Sequence, residues 1–233
     1  MPAAVDLQGK RVLVIGGSGV LGFEIATELR RNGATVMLAG RDPSRLQQRA
    51  TEIGPDVPSV VFDLTIDGHI EHVIATASAR MGGIDGVVNA AGVVAFGPLQ
   101  DLEPASLEQI FTTNLIGPLK LVSALIPQMP SGFIVNLSGV VAETPMAGMV
   151  VYSAAKAGLS AATVALGREL RRQGIHVLDV RPPHTETGLT ERAISGTAPK
   201  MPAGLEPGHV ARTVVAGLKA GKRELAGADF AQS

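Results

Sequence analysis

The chain has no cysteine and no tryptophan, one tyrosine and six phenylalanines in 233 residues. Without cysteine there can be no disulfide and no thiolate metal site, which fits a reducing cytoplasm, the expected location. Aromatics are 3% of the chain, so the core must be aliphatic, and hydrophobic residues at 45% are ample for one large core. Neither sign of charge dominates: 20 basic and 21 acidic residues leave a net charge of −1. No basic surface for nucleic acid or an acidic membrane is therefore expected. No run of roughly 18 apolar residues is read, so no membrane-spanning helix is expected. The opening "MPAAVDLQGKR" lacks a basic segment followed by an apolar one, so no signal peptide is expected. One domain over residues 1–233 is the natural reading.

What is present is an alternation of short apolar runs and longer amphipathic ones. Strands are predicted at 11–17, 35–40, 59–64, 84–92, 132–139 and 174–182. Helices are predicted at 22–33, 43–54, 67–82, 104–126 and 150–173, with a last helix at 206–220 and a short strand near 223–227. Apolar strands alternating with helices imply α/β architecture: a single Rossmann-type, doubly wound parallel sheet with helices on both faces. The stretch 183–207, rich in Pro, Gly and Thr, interrupts the rhythm. Following a strand's carboxyl end, it reads as a substrate loop over the ligand crevice.

After the first strand comes "GGSGVLG", running from Gly16 through Gly17, Ser18, Gly19, Val20 and Leu21 to Gly22. Gly17, Gly19 and Gly22 match G-x-G-x-x-G between a strand and a helix, the context that a dinucleotide site requires. Glycines there let the backbone approach a pyrophosphate, and the helix N-terminus offers unpaired N–H groups to it. The second strand ends on Gly40, where an acid would hold a ribose 2′-OH, and Arg41 follows. A guanidinium there attracts a 2′-phosphate, so NADP(H) is expected over NAD(H). Asp42 is expected to cap the helix that begins at Pro43.

The one tyrosine, Tyr152, stands at i to Lys156 at i+4, on one face of a predicted helix. An adjacent ammonium lowers a phenol's pKa, and a tuned phenol can exchange a proton with a carbonyl or alcohol oxygen. That is the half of a hydride transfer that a nicotinamide cannot perform.

These motifs, in kind and order, resemble the short-chain dehydrogenase/reductase family over nearly the whole chain. "YSAAK" is similar to its Y-x-x-x-K, and "NAAG" (Asn89, Ala90, Ala91, Gly92) to its strand-end motif near the adenine ribose. In "FDLT", Asp63 resembles the aspartate that contacts adenine, with Leu64 beside it. The resemblance implies that Ser138 of "NLSG" bonds the substrate oxygen. It also implies that Asn114 holds a water in a proton relay to Lys156. In "RPPHTET", Pro182, Thr185 and Thr187 would line the nicotinamide, Thr187 contacting its carboxamide. Asn114, Ser138, Tyr152 and Lys156 would thus be catalytic, with Tyr152 and Lys156 also touching cofactor. Ile15, Val20 and Pro183 depart from the family's usual Thr, Gly and Gly, and the Gly16, Gly19, Gly22 spacing is similar to the branch that includes epimerases.

The expected function is NADP(H)-dependent reduction of a small-molecule carbonyl, or oxidation of the matching alcohol. A cofactor-binding regulator without turnover and an epimerase or dehydratase remain alternatives. The resemblance also implies a homodimer or homotetramer built on the two long helices, which carry Ala154, Ala155, Ala161, Ala162 and Ala165. His184 is read as a loop histidine and His69 and His72 as surface residues, and no metal site is expected. Phe96, Met146 and Met149 suggest an apolar pocket.

Overall fold

The strands are apolar along their whole length because both of their faces are covered. In "RVLVI", Val12 and Val14 enter one apolar layer with Ile25, Leu29, Val214 and Leu218. Leu13 and Ile15 enter the opposite layer with Val73, Ile74, Leu121 and Leu125. A strand with only one buried face would alternate instead.

The computed structural model describes residues 4–231. The elements in chain order are β1 (Arg11–Ile15), α1 (Val20–Arg31), β2 (Thr35–Gly40), α2 (Pro43–Ile53), β3 (Ser59–Val61), α3 (His69–Met81) and β4 (Gly86–Asn89). They continue with α4 (Pro104–Phe111), α5 (Gly117–Leu125), β5 (Gly132–Leu137), α6 (Val150–Glu169), β6 (Ile175–Val180), α7 (Pro207–Lys219) and β7 (Glu224–Leu225). The sheet order is β3-β2-β1-β4-β5-β6-β7, and every pairing is parallel. The strand order reverses between β1 and β4, which opens a crevice at their carboxyl ends. Register carries Ile15 opposite Asn89, Asn89 opposite Asn136 and Asn136 opposite Asp179. Four neighbouring strands therefore bring these side chains into one row.

Several boundaries differ from expectation. β1 stops at Ile15 rather than 17, because Gly16 turns into the left-handed region with φ 79. That lets α1 start at Val20, so Val20 and Leu21 lie in its first turn. β3 ends at Val61 and β4 spans only Gly86–Asn89, so Asp63, Leu64 and Gly92 sit on strand-end loops. The single helix expected at 104–126 is α4 and α5 joined by a π-helical segment, Thr112–Ile116, in which Gly117 N–H bonds Thr112 O five residues back. Pro118, which has no N–H to give to the carbonyl four residues before it, supplies a local cause. The helix expected through 173 is α-helical to Glu169 and closes in a 3-10 turn, Leu170–Gln173.

The expectation of no stretch apolar enough to cross a membrane needs correcting. By length and composition alone, Pro104–Gln128 and Val150–Gln173 would each suffice. Here both lie on the sheet: Leu121, Leu125, Leu159 and Leu170 are all buried.

The 183–207 segment is pinned by two isolated bridges, Ala95↔Ser195 and Thr185↔Leu205, and holds one 3-10 turn at Thr190–Arg192. Through Ile194 N→Val94 O and Phe96 N→Ser195 O it lies along the chain that leaves β4.

Candidate active site

The site begins with backbone. A Cβ on Gly16 would stand 2.7 Å from Ala91 N, and one on Gly22 would overlap Gly16 O. Glycine at both positions lets the loop after β1, the first turn of α1 and the chain leaving β4 nest together. α1 has Gly19 as N-cap, no side chain capping it and no acid in its first turn. Its N–H groups are thus presented to an anion at the crevice. This cradle fits a dinucleotide pyrophosphate.

At the end of β2, a Cβ on Gly40 would meet Ser18 Oγ at 2.7 Å, so a side chain there would have to turn Ser18 away, and the position that would hold a ribose 2′-OH carries no acid. Arg41 is exposed beside it. Asp42 caps α2 as expected, accepting from Ser44 N and Arg45 N at 3.0 Å each. Those bonds hold its carboxyl below the usual range, the Arg45 backbone bond first among the causes. Asp42 is thus occupied with its own helix. Asp63 Oδ1 takes Thr65 N–H and hydroxyl at 2.8 and 2.7 Å, which shapes the loop after β3. His69, read from sequence as a surface residue, accepts Asp63 N–H through Nδ1 at 3.2 Å and so steadies that loop.

Asn114 falls inside the π-helical segment and is fully buried. Its Nδ2 donates to Val93 O at 2.9 Å and Ile110 O at 3.0 Å, and its Oδ1 accepts Val93 N–H at 3.2 Å. It ties the chain leaving β4 to the helix break. A Cβ on Gly92 would stand 2.9 Å from Asn114 Oδ1 and 3.6 Å from Lys156 Nζ, so the three residues converge. Lys156 is buried and donates to Leu137 O at 2.8 Å, with Nζ 5.8 Å from the Tyr152 ring centroid.

The electrostatics correct one expectation. Burial pushes the Tyr152 phenol up to about 12, and the ammonium does not offset it. Burial also pushes Lys156 down to about 8, against the attraction of Asp179. Tyr152 keeps some exposed surface and packs, like Leu189 and Ala193, against the buried cluster of Val94, Phe96 and Met149. A small apolar cavity beside it is lined by Leu99, Leu102, Ile110 and Val151 among others. Met146, expected at this pocket, is 40% exposed at the start of the neighbouring turn.

Ser138 departs from its expected state. It has no exposed surface, and its hydroxyl donates to Asp179 Oδ1 at 2.5 Å rather than pointing out as a substrate donor. Pro182 O takes Val140 N–H at 3.0 Å, Thr185 Oγ1 bonds Pro183 O at 2.9 Å and Thr187 N–H bonds Thr185 O at 2.8 Å. Pro182, Thr185 and Thr187 are therefore held in an ordered turn after β6. His184 lies 3.7 Å from Glu186 on the same turn. Among the described residues no group of His, Asp and Glu could hold a metal ion.

Sequence reading missed the polar layer beneath α6. Asn89 Nδ2 donates to Asn136 Oδ1 at 2.6 Å, and Asn136 Nδ2 to Thr163 Oγ1 at 2.9 Å. Asp179 takes Ser138, Ser160 and Arg181, and Arg181 also meets Glu224 at 2.9 Å and Glu143. Arg181 Nε faces Glu143 as an ion pair without hydrogen-bond alignment. One signal was available: Asp179 and Arg181, two apart in "IHVLDVRP", are charges on one face of an otherwise apolar strand.

Comparison with known proteins gives this geometry its family. The family model for short chain dehydrogenases matches residues 10–197. A ketoacyl reductase of Nostoc sp. is 34% identical over 221 residues, 91% of this chain and 76% of the relative. An uncharacterized oxidoreductase of Staphylococcus epidermidis is 31% identical over 197 residues, 83% of this chain and 86% of the relative. The crystal structure of a 3-ketoacyl-(acyl-carrier-protein) reductase from Brucella melitensis, complexed with NADH, aligns with TM-score 0.85 at 22% identity, covering 97% of this chain and 100% of that one. The fold is therefore the same, and the chain belongs to the short-chain dehydrogenase family of oxidoreductases.

Proposed function

We propose that the protein is an NADP(H)-dependent reductase of a small-molecule carbonyl, with Tyr152 as proton donor. The observation that carries this reading is the meeting of Tyr152, Lys156 and Asn114 next to the glycine cradle, at the carboxyl ends of β4 and β5. When bound, NADP(H) supplies the hydride to the carbonyl carbon. Gly16 to Gly22 would hold its pyrophosphate, and Asp63, Leu64 and Asn89 to Gly92 would flank its adenosine half. Pro182, Thr185 and Thr187 would flank its nicotinamide. Arg41 would pair with the 2′-phosphate, since Gly40 supplies no acid and Asp42 is spent on α2.

Tyr152 carries its proton at neutral pH and would give it to the carbonyl oxygen; the cationic Lys156, by favouring the phenolate, would work against the burial that raises the phenol. Lys156 then faces the phenolate that forms and would bind the nicotinamide ribose. Asn114 would link Lys156 to solvent through a water. The apolar side chains of Phe96, Leu102, Ile110 and Met149 would face the substrate's hydrocarbon part. The ketoacyl reductase relative favours the same direction of reaction.

NADPH oxidation measured against a panel of ketones, aldehydes and quinones tests the activity. Tight NADPH binding with no turnover on any of them would favour the regulator instead. Cofactor choice is tested by titrating NADPH and NADH into wild type and Arg41→Ala. The wild type should prefer NADPH by roughly 10- to 100-fold, the worth of one charge-assisted phosphate contact. An NADH preference would mean that Arg41 does not meet the ribose.

We also propose a homodimer or homotetramer through the outer faces of α5 and α6. Leu119 and Val164 are exposed there, Ile116 beside them, and Ala154, Ala161 and Ala165 present small side chains to solvent. Sedimentation at micromolar concentration showing monomer alone would refute this.

A further inference from the structure

Among the described residues Asp179 is the one carboxylate with no exposed surface, and no step of the proposed reduction uses it. It lies on β6, beneath α6. Its Oδ2 takes the Ser160 hydroxyl at 2.6 Å, and Ser160 stands one helical turn after Lys156 on the same face of α6. Its Oδ1 takes the Ser138 hydroxyl at 2.5 Å, and Ser138 follows Leu137, whose carbonyl accepts from Lys156 Nζ at 2.8 Å. The carboxylate is thus tied to both of the elements that hold Lys156.

One guanidinium does not cancel this charge. Arg181 Nη1 meets Asp179 at 2.7 Å, but Arg181 also meets Glu224 at 2.9 Å and Glu143. Three carboxylates share one cation, so the cluster stays negative. A buried ammonium is costly without a counter-charge. The other groups facing Lys156 supply none: Tyr152 on its own helix keeps its proton, and Asn114 and Gly92 on the opposite side are uncharged. Resting on the reductase reading above, we propose that Asp179 is a positioning residue whose buried charge keeps Lys156 a cation at neutral pH, and so keeps it able to bind the nicotinamide ribose and to face the phenolate. Burial works the other way: it brings Lys156 down to about 8, against the attraction of Asp179.

Asp179→Asn removes the charge and keeps the shape. The amide oxygen can accept from Arg181 and Ser160 and the amide NH₂ can donate to Ser138, whose own hydrogen then has Val180 O at 3.3 Å. Arg181 keeps Glu224 and Glu143, so it is not orphaned by the change. Ser160→Ala is the counterpart, since it loses a hydrogen bond to Asp179 and keeps the charge.

The test reads the charge of Lys156 through stability, without cofactor or turnover. Lys156 holds its proton less tightly folded than unfolded. A protein with Lys156 therefore gains melting temperature on its Lys156→Met partner as pH rises from the folded value, about 8, toward 10.5. Melting temperature against pH is measured for wild type, Asp179→Asn and Ser160→Ala, each with and without Lys156→Met. The gain should begin at about 8 in wild type and roughly one pH unit lower in Asp179→Asn. Ser160→Ala should lower the melting temperature and leave that onset in place. Asp179→Ala, which also removes the charge, carries the same prediction and replaces the amide variant if that one does not fold. An onset that stays at the wild-type pH in the uncharged variant, or that moves as far in Ser160→Ala, overturns the proposal, because Asp179 would then serve structure alone. NADPH affinity against pH gives a second arm: its alkaline decline should move down by the same interval in Asp179→Asn, and a decline that does not move overturns the link to ribose binding. Failure of the reductase reading shows separately, as a wild type that oxidises NADPH with no carbonyl, and leaves the melting curves to decide the role of Asp179.

Discussion

The two halves of the crevice are made of different material. Around β1 and α1 the site is backbone: a positive-φ glycine, a second glycine with no room for a side chain, and a helix start without a capping side chain. Around β5, β6 and α6 it is side chain: Asn136, Ser138, Thr163, Lys156 and Asp179, all buried and all hydrogen-bonded. The first arrangement would accept an anion that fits the loop. The second is a network whose members depend on one another, and it can orient hydrogens as well as heavy atoms. Under the proposed function, binding and chemistry would divide between backbone and side-chain architecture.

That division also decides what could be read without coordinates. The glycine loop is local: its constraints fall within seven residues, of which sterics demand glycine at Gly16 and Gly22, so the motif shows in the string. The doubly wound sheet was readable for the same reason, since apolar strands and amphipathic helices carry their own periods. Tyr152 and Lys156 share one helix turn and were found together. The Ser138–Asp179 bond joins residues 41 apart, and Asn89 to Asn136 spans 47. No local spacing reports such pairs. The π-helical break at Thr112–Ile116 was missed because Pro118 and Asn114 act together there, whereas an apolar period runs straight through. The rise in the Tyr152 pKa was missed because a lysine at i+4 is visible in sequence and desolvation is not.

Changes on either side of the crevice should fail differently. The largest effect on the backbone side should come from Gly22→Val, whose side chain would be forced onto Gly16 O. NADPH affinity should fall by roughly 100-fold, equal to about 2.7 kcal/mol. Titration by cofactor fluorescence measures it, and near-native affinity would mean that the loop and α1 need not nest.

On the side-chain side, Asn136→Ala strands Asn89 Nδ2 in the core, while Thr163 keeps its bond to Leu159 O. Stability should drop by about 1–3 kcal/mol, read from urea melts, with NADPH affinity in the surviving folded fraction little changed. A fall in cofactor affinity without loss of stability would erase the distinction between the halves.

The smallest effect is one of pH. Lys156, at about 8 when folded, is well below its ordinary 10.5, so above about 8 the unfolded chain holds the extra proton and stability rises with pH. Tyr152, raised to about 12 from 10, has the opposite sign: past about 10 the unfolded chain loses its proton first and stability falls. The melting temperature should climb between about 8 and 10 relative to Lys156→Met, which lacks the titrating group, while NADPH affinity declines as Lys156 discharges. Parallel curves for the two proteins would show that Lys156 is not desolvated.

Tyr152→Phe tests the proposed chemistry most directly, because it removes one hydroxyl and keeps the ring that packs against Phe96 and Met149. The measurement is steady-state NADPH oxidation with the best carbonyl from the panel, alongside NADPH affinity on the same samples. If Tyr152 donates the proton, turnover falls by roughly 10²–10⁴-fold while affinity for NADPH and the melting temperature stay near those of wild type. A Tyr152→Phe protein that oxidises NADPH at close to the wild-type rate would contradict the mechanism and leave Tyr152 as a packing residue.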